Sequence, residues 1–273
     1  MSPRHPCPFP SIRPPIAAAA AFAVLASASS PPASAGPAAC SADSPGHAVA
    51  LVELYTSEGC SSCPPAERWL GGLPAPGVGL DRAVPLAFHV PYWDYLGWKD
   101  PLAQAAFAGR HAALLRWNRR GTAYTPHFFV SGDEVANAAE RLAAAIRATN
   151  ARPAGVRLAL ELGRQGAATL SVAATAALDR PRADARLFVA VVETPIVAPI
   201  GAGENAGRIL THAHVVRRLL GPIELPAGKA SSRWTLPIEP GWTANRLGVA
   251  AFVQDQGSGE VLQALARPPC PEG

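Results

Sequence analysis

Two cysteines separated by two serines, Cys60-Ser61-Ser62-Cys63, are the residues of this sequence whose types and spacing point most directly to chemistry. A thiol attacks a disulfide only as its thiolate. A cysteine at a helix N-terminus meets unpaired backbone N–H groups and the positive end of the helix dipole, and both favour that form. Cys60 is expected at such a helix start, and Cys63, one turn further on, is placed to resolve a mixed disulfide. Two other readings stay open. The pair can be an inert structural disulfide, or half of a zinc site, which needs two more ligands. There is no second Cys-x-x-Cys, and His89 and His127 stand alone in apolar strands. No residue set is assigned to a resident metal, and no cofactor is expected.

Other residues are candidates by position. Glu53 lies inside the apolar run Val49–Tyr55 that leads to the dithiol. A buried acid costs free energy unless it is paired or functional, so Glu53 is expected to accept the Cys63 proton during exchange. The alternative is an outward-facing strand position. Thr125-Pro126 suits a cis peptide, which would set the Thr125 backbone against the dithiol to pair with a substrate chain; an ordinary trans turn is the alternative. Tyr92 and Trp93 open an aromatic loop, Tyr92–Trp98, that either lines a binding groove or packs between layers. His212-x-His214 reads as a polar surface pair in preference to a two-ligand metal site.

The elements that must hold these residues follow from hydrophobic period and turn signals. Val49–Tyr55 reads as a buried strand and Cys63–Leu70 as a helix, with Pro64 and Pro65 in its tolerant first turn. Val84–Val90 is a second buried strand, Pro101–Arg119 a helix, and His127–Val130 a third strand. Ser131-Gly132-Asp133 turns into Glu134-Val135, and Asn137–Thr149 is an amphipathic helix with Leu142, Ala145, Ile146 and Thr149 on one face. This order, with a Cys-x-x-Cys at the first helix, is the thioredoxin pattern. Beyond Pro153 the pattern changes to short strands at Val156–Leu162, Ala168–Ala174, Leu187–Glu193, Arg233–Ile238, Leu247–Asp255 and Val261–Ala266, which suggests a β-sandwich. Ile209–Leu220 fits strand or helix. The expected fold is therefore an α/β thioredoxin-like domain over 49–150, followed by a mostly β, sandwich-like domain over 151–273.

The N-terminus carries Arg4 and Arg13, an apolar run Ile16–Ala28, and then Ala33-Ser34-Ala35. This is the order of a secretory signal, with cleavage expected after Ala35 and a linker over 36–48. An alanine-rich tail is the alternative. The apolar run is too short for a permanent anchor, and no membrane span is expected after cleavage. The protein is thus placed outside the cytoplasm, in the periplasm or secreted. Cys7 would be lost with the leader, and of the remaining cysteines Cys40 and Cys270 stand at the two ends of the mature chain. Chain ends often lie close together, so a Cys40–Cys270 staple is expected. The formal charge of +4 includes Arg4 and Arg13, and no Lys/Arg run offers a nucleic-acid surface.

Four segments are specific enough to suggest a family: VELYTSEGCSSCPPAE (52–67), FHVPYWDYLGWKDP (88–101), YTPHFFVSG (124–132) and GENAGRILTHAHVVR (203–217). Together they resemble a bacterial family of secreted thioredoxin-like proteins known only as a domain of unknown function. The resemblance is collinear from about Val49 to the C-terminus. It implies a thioredoxin-like fold with an all-β extension and supplies no activity. Against the wider superfamily, Cys60 and Cys63 match the dithiol, Thr125-Pro126 the cis-proline step, and Glu53 the buried acid. The turn Ser57-Glu58-Gly59 departs from that pattern by its length and by lacking an aromatic residue before the cysteine. Glu58 is also expected to disfavour a nearby thiolate. The reading is an exported thiol–disulfide oxidoreductase acting on a protein or small-thiol substrate. A binding module with a permanent Cys60–Cys63 staple, and a metal handler using both cysteines and a histidine, are its rivals.

Overall fold

The computed structural model describes residues 39–73, 78–166 and 168–270. The expected leader over 1–35, its cleavage point and Cys7 lie outside the described residues. In chain order the elements are β1 (Ala39–Asp43), β2 (Ala50–Thr56), α1 (Cys63–Gly71), β3 (Ala83–His89), α2 (Ala105–Trp117), β4 (His127–Val130), β5 (Asp133–Val135) and α3 (Ala139–Asn150). They continue as β6 (Val156–Gln165), β7 (Thr169–Leu178), β8 (Ala185–Glu193), β9 (Ile196–Pro199), β10 (Ile209–His212), β11 (Val215–Glu224), β12 (Lys229–Pro237), β13 (Leu247–Asp255) and β14 (Val261–Arg267). The chain is mixed α/β with strands predominating.

Eight strands form one mixed sheet in the order β14-β13-β8-β11-β3-β2-β4-β5. β2 and β3 run parallel, with Tyr55 opposite Phe88, and β4 returns antiparallel to β2, with His127 opposite Tyr55. β11 joins the free side of β3 in parallel through Val215 and Ala87. Strands from both sides of the composition change near residue 150 therefore share a single sheet. β2 and β3 are buried along their whole length, as expected of parallel strands covered on both faces.

Alternation along the strands divides the core. One face of β2 presents Ala50, Val52 and Leu54 to α1 and α3 through Ala66, Leu70, Leu142 and Ile146. The other face presents Leu51 and Tyr55 to α2, where Phe107 and Leu114 join Phe188, Val216 and Phe252 from the later strands. A second sheet, β1-β6-β7-β12, faces β8 and β13 across Leu158, Leu160, Val172, Val189, Val191 and Val249. The long sheet curls until its far edge reaches the β2 end: Gln263 accepts from the Val49 N–H at 2.7 Å, and the Val261 N–H donates to Ser131 O at 2.9 Å.

Two expectations change, and one open choice is resolved. The stretch 36–48 is not all linker: β1 pairs with β6, and Cys40 and Ala42 pack on the sandwich core. Its small residues hide a strand because the disulfide from Cys40 to Cys270 anchors it. Helix α1 begins at Cys63, three residues later than a start at Cys60, with both prolines in its first turn. Ile209–Leu220 resolves into β10 and β11, separated by His214 in the left-handed region (φ 56°).

Candidate functional site

Strand β2 ends at Thr56, and the turn Ser57–Ser62 carries the chain into α1. Cys60 stands in that turn, its carbonyl accepting from the Cys63 N–H at 3.2 Å. The two sulfurs form a disulfide. Cys60 retains 4% exposure and Cys63 none, so a partner can approach only the Cys60 side. Ser62 Oγ lies 3.3 Å from Cys60 Sγ.

Two distant segments hold this turn. The aromatic loop after β3, a short 3-10 helix over Pro91–Leu96, seats its backbone on Gly59, where a Cβ would stand 3.3 Å from Trp93 O. From the segment before β10, Asn205 Nδ2 donates to Glu58 O (2.8 Å) and Cys60 O (3.1 Å), and Glu204 accepts from the exposed Ser61 N–H (3.0 Å).

Beneath the turn lies a buried cluster of carboxyl groups and imidazoles. Glu58 accepts from Trp98 Nε1 at 2.7 Å through Oε2. Asp100 accepts from the Glu58 N–H (2.9 Å) and from His89 Nδ1 (2.7 Å). Glu67, one helical turn beyond Cys63, accepts from Thr56 Oγ1 through Oε1 and from His212 Nδ1 through Oε2, both at 2.5 Å. Glu58 Oε1 and His212 Nε2 are 3.2 Å apart, close enough for an ion pair but not aligned as a hydrogen bond. Burial alone would push the His212 imidazole down, yet the two glutamates raise its pKa to about 10. Burial likewise pushes the Glu67 and Asp100 carboxyls up, and their histidine partners outweigh it and hold both below the usual range. His89 Nε2 is buried with no partner among the described residues, and the His89 and His212 rings meet edge-on at 4.9 Å.

The structure brings some of the expected site residues together and separates others. Cys60 and Cys63 meet. The Thr125–Pro126 peptide is cis, and it precedes β4, whose Tyr55–His127 pairing carries that peptide toward the dithiol end of β2. Thr125 Oγ1 is buried without a partner among the described residues. Trp93 borders the dithiol turn, but Tyr92 turns to α2, its hydroxyl 3.1 Å from His111 Nδ1. Glu53 is held elsewhere. It alternates onto the α2 face of β2, opposite α1, where Arg110 grips it through Nε (2.7 Å) and Nη2 (2.8 Å). His212 and His214 are not a surface pair: His212 is fully buried, and His214 bonds Leu73 O at 2.7 Å. Sequence reasoning missed Glu67, Asp100 and Asn205. The i, i+4 spacing of Cys63 and Glu67 on one helix face was the signal within reach.

Residues 51–254 match a family described as "Protein of unknown function (DUF1223)". No curated protein matches the chain. Among solved structures, a structural-genomics target protein from Agrobacterium tumefaciens is similar at 24% identity and TM-score 0.62, covering 83% of this chain and 97% of that one. HBP35 of Porphyromonas gingivalis is similar at 16% identity and TM-score 0.61, covering 84% of this chain and 80% of that one. These likenesses concern the fold alone.

Proposed function

The chain belongs to the DUF1223 family of proteins of unknown function, and from its dithiol site we propose that it is an exported thiol–disulfide oxidoreductase on a thioredoxin-like arrangement. The observation that carries this reading is the Cys60–Cys63 pair, joined across the turn between β2 and α1 with only Cys60 reachable from outside. That place, at the carboxyl ends of parallel strands, is where open α/β sheets gather their reactive groups.

In the reducing direction the Cys60 thiolate attacks one sulfur of a substrate disulfide. A Cys60–substrate disulfide forms and one substrate thiolate leaves. Cys63 then attacks Cys60 Sγ, restoring the intramolecular disulfide and releasing the second substrate thiolate. The substrate gains two electrons and the protein dithiol loses them; the oxidising direction is the reverse. Thr125 and Trp93 are the residues proposed to meet the substrate. Export is supported by the N-terminal sequence pattern and by a second disulfide, Cys40–Cys270, because disulfides persist outside the reducing cytosol.

One observation favours a second reading. Both sulfurs are nearly sealed, and Glu204 and Asn205 tie the turn down, as suits a permanent staple in a binding module. The reduction potential of the pair separates the two. A value above about −300 mV with insulin reduction that disappears in Cys60→Ser supports exchange chemistry; a value below it makes the disulfide structural.

A further inference from the structure

We propose that Glu67, His89 and His212 form a binding site for one divalent transition-metal ion of the zinc class beneath the dithiol turn. Among the described residues these three offer ligand atoms that all lie within 4.8 Å of one another, and all three are buried. Two imidazoles and a carboxylate are the donor set of three-ligand zinc sites. They exclude calcium and magnesium, which take oxygen ligands almost entirely.

The surroundings are built as metal ligands require. A ligating histidine normally gives its other nitrogen to a carboxylate, which fixes the ring and its tautomer. His89 does this: Asp100 accepts from Nδ1, which leaves Nε2, buried and without a partner among the described residues, to take the ion. His212 has a glutamate at each ring nitrogen. Whichever nitrogen takes the ion, the other keeps a carboxylate, and the displaced ring proton passes to solvent. Glu67 binds through one oxygen while Thr56 Oγ1 occupies the other.

The acidic surroundings also suit a cation. Glu58, Glu67 and Asp100 are all buried, and among the described residues their ion pairs are to histidine only. Buried carboxyl groups demand a cationic partner, and a dication bound by two neutral rings is one. The ion would tie α1, the end of β3 and the end of β10 together under Cys60 and Cys63. The ligand set contains neither cysteine, so the site stands whether or not the dithiol is redox-active.

The test uses the full chain with its disulfides intact, stripped by chelator and titrated with zinc chloride by calorimetry, with cobalt substitution read by absorption. One zinc per chain is expected, with cobalt bands of nitrogen and oxygen ligation and no thiolate charge-transfer band. His89→Ala is expected to weaken binding by at least about 100-fold and Asp100→Asn by about 10- to 100-fold, while a Cys60→Ser/Cys63→Ser double variant binds as the parent does. Should His89→Ala fail to fold, Asp100→Asn carries the test. Absence of stoichiometric zinc in the folded parent, unchanged affinity in Asp100→Asn, or loss of binding in the double-cysteine variant would overturn the proposal.

Discussion

Arg110 shows how one residue decides the fate of another. Its guanidinium holds Glu53 in a bidentate pair, bonds Gln254 Oε1 at 3.1 Å and lies 4.8 Å from the Phe252 ring centre. Both charges are buried, so removing one strands the other. Arg110→Met is expected to lower stability by about 3–5 kcal/mol in urea denaturation, with most of the loss recovered in Arg110→Met/Glu53→Leu. A small effect of the single variant would mean that Glu53 is accommodated without Arg110 at little cost. At the dithiol, the proposed exchange makes Cys63 the resolving thiol, so in Cys63→Ser a mixed disulfide through Cys60 should accumulate with a peptide disulfide substrate. Mass spectrometry reads the adduct, and its absence with Cys60 reduced argues for the staple. The third residue is His111, stacked on Tyr55 at 4.1 Å and linked to His127 at 2.9 Å and to the Tyr92 hydroxyl. Burial, reinforced by the neighbouring His127, depresses its pKa from 6.5 to about 3. The folded state therefore keeps His111 neutral while the unfolded chain takes up a proton below pH 6.5. Its contribution is complete above pH 6.5 and is lost as pH falls toward 3. Between pH 6.5 and about 5, above most carboxylate titrations, stability should fall with a slope approaching about 1.4 kcal/mol per unit per proton, and His111→Gln should flatten it.

At the scale of elements, the joints between strands carry constraints that their sequences barely advertise. The β4–β5 turn presses Gly132 against the β13–β14 turn so closely that a Cβ would stand 2.1 Å from Gly259 O, and Gly132 also sits at φ +97°. Gly132→Ala is expected to cost about 2 kcal/mol or more, seen as a lower melting temperature; an unchanged melt would show that the two turns separate freely. β1 is the opposite case, an element whose own sequence is weak. Five residues of small side chains pair with β6, and Cys40 ties them to Cys270 across 230 residues of chain. Such a closure removes much unfolded-chain entropy, so Cys40→Ser/Cys270→Ser should lower stability by about 2–5 kcal/mol in denaturant. Long strands such as β6 and β7 were legible because alternation repeats over ten residues. β1 was not, since what makes it a strand is a partner more than a hundred residues away.

At the scale of the whole molecule, the same distinction separates what the sequence disclosed from what it withheld. The dithiol, the strand leading to it, and Thr125-Pro126 were legible because each is a local pattern. The His89–Glu67–His212 cluster was not, because three apolar-looking segments reveal their polar faces only when they meet. Glu53 misled for a related reason: an acid in an apolar strand looks free until Arg110, on another element, is seen to claim it. The most consequential non-local feature is the joint between β3 and β11, which runs the sheet across the change of composition near residue 150. Around that joint the α2 face of the core mixes Phe88 and Phe107 with Phe188, Val216 and Phe252, and Arg110 reaches Gln254. His212, also from the later half, holds Glu67 of α1. A fragment of residues 36–150 would expose this apolar face and leave Glu67 and part of the Arg110 shell without partners. It should therefore keep helical circular dichroism but lose a cooperative melt and bind a hydrophobic dye, whereas residues 36–273 unfold in one transition. A sharp, reversible melt of the short fragment would show instead that the first half carries a self-sufficient core, and that the β-rich half is an accessory to the dithiol domain.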